Sequence, residues 1–133
     1  MKHIFGIFLA LFVVSGAYAT SATVKEVVDG DTFFATMSGK EVRISLVNVD
    51  TPELHGRCQK EVDLGYKAKE RLAELIPEGT TVEVKENTKN EFHGRTKMKA
   101  NVKLSDGRDI GEILIKEKIG RAYDYKVVPD WCK

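Results

Sequence analysis

Residues 24–37 read VKEVVDGDTFFATM. Two runs rich in β-branched and aromatic residues, 24–28 and 32–37, lie on either side of Asp29-Gly30. Asp-Gly between such runs is a strong hairpin signal, because glycine accepts the positive φ angle that a tight turn needs. The stretch therefore predicts two antiparallel strands joined by a tight turn.

Three more strands are predicted along the chain. A second turn at residues 38–40 leads into a strand over 42–49, and later strands are predicted over 81–85 and 97–104. Residues 86–95, between the last two strands, are polar and predict a loop.

Two helices are predicted between and after these strands. From Glu61 onward, apolar residues including Leu72 and Leu75 recur at helical spacing until Pro77 ends the run. Asp109 is a suitable N-cap for a second, short helix. The order β-β-β-α-β-β-α predicts an α+β, mainly β fold: a five-stranded OB-type barrel with two or three flanking helices.

The N-terminus has the pattern of a secretory signal peptide over residues 1–19. A short basic start precedes the apolar run 4–14, and Ala17 and Ala19 are the small residues that signal peptidase requires. The run is too short to span a bilayer, although an uncleaved membrane anchor is the alternative. We expect residues 20–133 to be one exported domain, periplasmic or extracellular.

Net charge does not indicate a polyanionic partner. The 133 residues include 21 basic and 20 acidic side chains, and loss of Lys2 with the leader makes the two numbers equal. Binding to nucleic acid would therefore depend on a local cluster of cations.

The two cysteines, Cys58 and Cys132, are far apart in the sequence. In an oxidising compartment they predict an intramolecular disulfide that ties the C-terminal tail to the segment after Glu53. Metal ligation with His55 and His93 is the alternative, but the spacing does not match a structural zinc site.

Three carboxylates follow predicted strand ends: Asp31 after the hairpin turn, and Asp50 and Glu53 after the third strand. If these strand ends lie together, the carboxylates meet at one rim of the barrel, where hard oxygen ligands suit Ca²⁺ or Mg²⁺. Each residue also has a simpler explanation, as a turn former, a strand terminator or a solvated surface group.

Four short motifs occur in a characteristic order: VDGDT at 28–32, VDTPE at 49–53, HGR at 93–95 and AYDYK at 122–126. Their order and approximate spacing resemble those of the staphylococcal nuclease (thermonuclease) family, and the likeness covers residues 24–126. The resemblance implies an OB barrel and a calcium-dependent nuclease.

The resemblance also implies roles for particular residues. Asp31 and Asp50 are similar to the family's calcium carboxylates, with the Thr51 carbonyl as a further ligand. Glu53 resembles the residue that positions or deprotonates the attacking water. Arg95 resembles the arginine that donates hydrogen bonds to the phosphoryl oxygens.

Nucleotide contacts follow from the same resemblance. Tyr123 and Tyr125 are similar to tyrosines that stack on a base or donate to a phosphate. The alternative is that one of the two is packed core, because alternate residues of an extended segment face opposite ways. His93 stands where the family often has another tyrosine.

The chain departs from the family pattern at one arginine. The family places it five residues before the metal-binding aspartate, and Ser45 occupies that position here. Arg43 lies seven residues before Asp50, on the same strand face as Ser45, so it is assigned as a catalytic candidate. A bulge or a long reach would bring Arg43 to the phosphate; otherwise the site lacks one phosphate-binding arginine.

Three lysines, Lys97, Lys99 and Lys103, alternate along the fifth predicted strand. They form either a stripe that attracts phosphates or a row of solvated lysines on an edge strand.

Two functions follow. The first is a secreted, calcium-dependent phosphodiesterase, an endonuclease acting on DNA and/or RNA with low sequence specificity. We expect a monomer that prefers single strands, with activity reduced by the Ser45 departure. The alternative is a weak or inactive nuclease-like OB module that binds single-stranded nucleic acid or another partner.

Overall fold

The computed structural model describes residues 19–133 and, before them, Gly6 alone. The predicted signal peptide otherwise lies outside the described residues, and Thr20, the predicted first residue after cleavage, is the second residue of the first strand. The elements in chain order are β1 Ala19–Asp29, β2 Thr32–Met37, β3 Lys40–Leu46, β4 Val49–Asp50, α1 Gln59–Leu75, β5 Thr81–Phe92, β6 Arg95–Lys103, α2 Ile110–Lys116 and β7 Arg121–Ala122.

Five strands close into a barrel in the order β1-β2-β3-β6-β5, and β5 pairs with β1 to complete it. The β3–β6 pair is parallel and the other pairs are antiparallel. The two helices lie outside this barrel, and the short strands β4 and β7 pair with each other. The predicted OB-type α+β fold is confirmed.

The core fills the barrel because each of the five barrel strands buries alternate side chains along part of its length. Helix α1 covers the core with Leu72 and α2 with Leu114, both fully buried. Each large apolar side chain placed there contributes roughly 1.5–3 kcal/mol relative to an exposed position. The fully buried strand side chains include Val24, Phe33, Ala35, Ile44, Val49, Val82, Val84, Ala100 and Val102.

The predicted polar loop over residues 86–95 is wrong. Strand β5 continues to Phe92, and the register Thr88↔Lys99 to Phe92↔Arg95 extends its pairing with β6. The turn is His93-Gly94, where both residues have positive φ angles of 50° and 71°. This part of the hairpin buries little on either face, so it lacks the alternation that identifies a strand in sequence.

The third predicted strand is also divided. Strand β3 ends at Leu46, the chain bends at Val47 and Asn48, and β4 begins at Val49. Pairing of β3 with both neighbours is regular from end to end, so it contains no bulge near Arg43. The bend sets the direction in which Asp50 leaves the barrel.

The predicted disulfide is confirmed: Cys58 and Cys132 are bonded, with Cα atoms 6.0 Å apart. This pairing excludes both thiols from metal ligation. Cys58 is also the N-cap of α1, and its sulfur accepts a hydrogen bond from the Glu61 backbone N–H at 3.4 Å. The bond therefore fixes the C-terminal tail at the start of a helix.

Among the described helices, none combines the length and the apolar character needed to cross a membrane.

Candidate active site

Asp31 lies where the hairpin turn meets β2. Its backbone carbonyl accepts a hydrogen bond from the Leu46 N–H at 2.8 Å, which fixes the start of β2 beside the end of β3. Its backbone N–H donates to the Asp29 carboxylate at 3.0 Å, and its own carboxylate accepts from the Thr32 hydroxyl at 2.9 Å. These bonds hold the Asp31 carboxylate at the rim of the barrel.

Gly30 allows the turn to approach the segment that carries the other carboxylates. A Cβ atom at this position would lie 2.5 Å from the Ala68 Cβ and 2.8 Å from the Thr51 Oγ1. Any side chain would therefore push the turn away from α1 and from Thr51. The glycine of the Asp-Gly-Asp sequence is needed for this close packing as well as for the turn.

The backbone at Asp50 and Glu53 is held by β7 and α1. Asp50 pairs with Arg121 across the β4–β7 ladder, and Thr51 is buried. Gly65 of α1 packs against the backbone of Glu53, because a Cβ there would lie 2.8 Å from the Glu53 carbonyl oxygen. The side chain of Glu53 itself is exposed. The backbone is thus fixed while the carboxylate stays accessible.

The carboxylates are close enough to affect one another. Burial, and then the hydrogen bond and charge of Asp29, raise the pKa of Asp31 to about 8, with a smaller contribution from Glu53. Burial raises the pKa of Glu53, and Asp29 and Asp50 add to it. The rim is a cluster of acidic groups, and no ion pair among the described residues involves Asp31, Asp50 or Glu53.

This cluster suits a hard dication. Its donors are carboxylate and carbonyl oxygens, and a positive ion would favour the charged carboxylates against the burial and the mutual repulsion that raise the pKa values of Asp31 and Glu53. Within residues 19–133, however, no three His, Cys, Asp or Glu side chains form a group arranged to hold a metal. A bound ion would therefore need ligands beyond side chains, such as the Thr51 carbonyl and water.

The C-terminal tail forms the other wall of the site. A cleft of about 450 Å³ lies between Asp50 and Glu53 on one side and Tyr123 and Tyr125 on the other. Both tyrosines are exposed, 53% and 80%, so neither is packed core. The Tyr123 N–H donates to the Asn48 carbonyl at 3.0 Å, which fixes the tail against the β3–β4 bend.

A family model described as "Staphylococcal nuclease homologue" matches residues 43–131, more than half of the chain. The chain belongs to this family. Comparison with curated proteins gives no match. The matched segment begins within β3, so Asp31 precedes it and joins the rest of the site through the hydrogen bond to Leu46.

In this member of the nuclease family, the positively charged side chains that are candidates for phosphate binding lie on the outer face of β3 and β6. The register pairs Ser45 with Lys99 and Arg43 with Lys97. Arg43 is two residues before Ser45 and therefore lies about 7 Å farther from the rim along β3, given a rise of roughly 3.3 Å per residue. Arg95, four residues before Lys99, lies about 13 Å away along β6, at the hairpin tip.

These positions separate the predicted arginines from the carboxylates. Arg43 and Arg95 line a different cleft, of about 690 Å³, together with Phe34 and Lys97. The charge of Lys99, by contrast, acts on Asp50: burial raises the pKa of Asp50 and Lys99 opposes that rise. Of the cations on β3 and β6, Lys99 is the one whose charge acts on Asp50.

The lysine row of β6 is not on an edge strand, because β6 pairs with β3 and β5. Lys97 and Lys99 share the outer face with Arg43, whereas Lys103 lines a separate cleft with Arg108 and Glu112. The predicted stripe is thus divided between two regions of the surface.

Sequence reasoning missed two residues at the cleft. Glu61 is 4% exposed, and its carboxylate accepts from the Arg57 N–H at 3.2 Å and lies 3.7 Å from the Arg57 Nε. Arg57 also donates to the Pro129 carbonyl at 3.2 Å. In sequence, Glu61 looks like an ordinary solvated helix residue, but in the fold Gly56 and Arg57 pack against its side chain.

Proposed function

We propose that this protein is an exported, calcium-dependent nuclease that hydrolyses phosphodiester bonds in DNA and/or RNA with low sequence specificity. The observation that carries the proposal is an open cleft lined by Asp50 and Glu53, with Asp31 near enough for the charge of Glu53 to raise its pKa, in a chain of the nuclease family. Asp31 comes from the hairpin turn and the other two carboxylates from the segment that begins with β4, and none of them is neutralised by a close ion pair within the described residues.

Asp31, Asp50 and the Thr51 carbonyl would hold the calcium ion. When bound, such an ion draws negative charge from the phosphoryl oxygens of the substrate. The half-buried position of Asp31 and its hydrogen bond from Thr32 restrict the orientation of its carboxylate. That restriction reduces the conformational entropy lost when the site binds an ion.

Glu53 is proposed as the group that orients and deprotonates the attacking water. Its carboxylate is exposed to the cleft, whereas its backbone is fixed against Gly65. Burial and the neighbouring acids raise its pKa above the ordinary value, which makes it a better proton acceptor than a fully solvated glutamate.

The phosphate-binding groups are proposed to be Arg43 and Arg95, which the family resemblance and the shared strand face assign to the substrate backbone. Tyr123 and Tyr125, exposed at the opposite wall, would stack on bases. Backbone contacts and stacking discriminate poorly between sequences and favour unpaired strands, which supports low specificity and a preference for single strands.

Export and a monomeric state are part of the same proposal. The Cys58–Cys132 disulfide is typical of oxidising compartments and agrees with the signal-peptide pattern over residues 1–19. The five long strands close into a barrel and leave no edge there for pairing with a second copy.

The experiment is cleavage of a labelled single-stranded oligonucleotide by residues 20–133, with calcium and with a chelator. We expect calcium-dependent cleavage that Glu53→Gln reduces at least about 100-fold, because it keeps the shape and removes the base. Glu83→Gln, a change at an exposed carboxylate on β5, is the control. Calorimetric titration with Ca²⁺ should show binding that Asp31→Asn abolishes.

A second candidate function is a module that binds single strands without cutting them. Ser45, at the position of a family arginine, is the observation that favours it. Tight binding of the oligonucleotide with no cleavage at any calcium concentration would establish this function in place of the nuclease.

A further inference from the structure

Lys99 occupies a particular position relative to the carboxylates. It is the β6 partner of Ser45, and the Ser45 and Thr32 hydroxyls share a hydrogen bond of 3.1 Å. The Thr32 hydroxyl in turn donates to Asp31 at 2.9 Å. These residues form a row across the strands that begins at Asp31, the candidate calcium ligand, and passes through Thr32 and Ser45. Lys99 is the next residue in this row, one strand spacing of about 4.8 Å beyond Ser45.

Ser45 leaves space that Lys99 can use. A serine side chain is short, whereas the lysine ammonium lies at the end of a flexible four-carbon stem. Ser45, Lys99 and Arg43 line one small cleft of about 250 Å³ on the outer face of the barrel. The ammonium of Lys99 can thus extend over Ser45 toward the rim.

The other two arginines near the carboxylates have partners of their own. Arg121, opposite Asp50 in the β4–β7 ladder, lies over the Trp131 ring, 4.6 Å from its centroid. Arg57 pairs with Glu61, donates to the Pro129 carbonyl and lies 4.0 Å from Asp130. No ion pair within 4.0 Å engages Lys99 among the described residues, and its side chain is exposed. Lys99 is therefore free to bind an anion.

We infer that Lys99 binds the scissile phosphate and replaces, from the neighbouring strand, the arginine that the family carries at the position of Ser45. This inference rests on the proposed nuclease function. The row continues away from the rim with the Arg43–Lys97 pair and then Arg95, at intervals of about 6.6 Å. Those cations contact the phosphates that follow along an extended strand.

Substituting lysine for arginine has a chemical consequence. An ammonium is a point charge, whereas a guanidinium can bind two phosphoryl oxygens at once with fixed geometry. Lys99 supplies the charge but not the bidentate geometry, so turnover should be lower than with an arginine at this site.

The test compares Lys99→Met with Lys103→Met, which changes a lysine on the same strand that lines the separate cleft near α2. Lys99→Met should lower kcat about 10²–10³-fold, the usual cost of removing one preorganised donor. Lys103→Met should change kcat less than about twofold. Lys99→Arg should retain or raise kcat, because it preserves the charge and adds a bidentate donor.

A binding measurement separates phosphate contact from a structural effect. With a chelator present to prevent cleavage, fluorescence anisotropy measures affinity for a single-stranded oligonucleotide at several salt concentrations. Lys99→Met should reduce the salt slope by about 0.7, the loss of one phosphate contact on a single strand. Ser45→Arg in the Lys99→Met background should restore at least about tenfold in kcat, because it returns a donor to the site.

Two results would overturn the inference. If the wild type cleaves, Glu53→Gln is inactive and Lys99→Met matches Lys103→Met in kcat and salt slope, Lys99 does not bind the phosphate, although the nuclease function stands. If the wild type binds but never cleaves, both the proposed function and the role of Lys99 fail.

Discussion

Loss of the Cys58–Cys132 disulfide should greatly destabilise the fold. The bond joins residues 74 positions apart and fixes the tail against the start of α1. In the chain-entropy model, a loop of this length is worth about 4.5 kcal/mol at 25 °C, because the unfolded chain gains freedom when the bond is removed. That is a large share of the roughly 5–15 kcal/mol by which ordinary domains are stable.

Two double variants separate the cross-link from the helix cap. Cys58→Ser with Cys132→Ser removes the bond but leaves a good N-cap, because a serine hydroxyl can accept the Glu61 N–H that now bonds the sulfur at 3.4 Å. Cys58→Ala with Cys132→Ser removes both. The alanine variant should be about 1 kcal/mol less stable than the serine variant.

Urea denaturation followed by circular dichroism measures these differences. We expect the serine variant to lose about 4 kcal/mol and to melt roughly 15–20 °C lower than the wild type. A loss below about 1 kcal/mol would refute the reasoning, because it would mean that the bond hardly restricts the unfolded chain. Equal stability of the two double variants would refute the role of Cys58 as an N-cap.

Two further changes test the packing around the site and between the helices. Gly30→Ala should lower the melting temperature, because the new Cβ would overlap Ala68 and Thr51, and overpacking of this kind costs about 1–3 kcal/mol; unchanged thermal unfolding would contradict it. Glu117→Gln should cost about 0.5 kcal/mol at neutral pH, since Arg71 donates two hydrogen bonds of 2.7 and 2.9 Å to a partly exposed carboxylate. Arg71 lowers the pKa of Glu117 from 4.5. The stabilisation by this ion pair is therefore complete above pH 4.5 and is lost as the pH falls through the lower pKa of the folded state. A stability difference between the wild type and Glu117→Gln that persists in acid would exclude the ion pair as its origin.

Much of the fold could be predicted from the sequence because it depends on local patterns. The Asp29-Gly30 turn, the helical spacing up to Leu75 and the N-cap at Asp109 each involve residues close together in the chain. The structure has β2 within the predicted bounds, and the Asp109 carboxylate accepts from the Glu112 N–H at 3.0 Å. Such patterns need no knowledge of distant contacts.

The arrangement of the candidate site depended on tertiary structure more than the positions of the strands and helices did. The motifs indicated which carboxylates to examine, but the pairing of Ser45 with Lys99 follows from the parallel register of two strands more than fifty positions apart. Nothing in the local sequence fixes that register. The nearness of Lys99 to the rim could therefore be seen only in the folded barrel.

Burial at the cleft was likewise decided by the tertiary structure. Glu61 follows a helical pattern that normally places glutamate in solvent, yet Gly56 and Arg57 pack against it and leave it buried. The extended β5–β6 hairpin was missed for the opposite reason, because both of its faces stay exposed and give no alternation. The sequence by itself determined which segments form strands and helices, because a segment with one buried face has a periodic pattern of apolar residues. The tertiary structure decided which residues are cross-strand neighbours and which charges are buried, because the packing of distant segments leaves no local pattern.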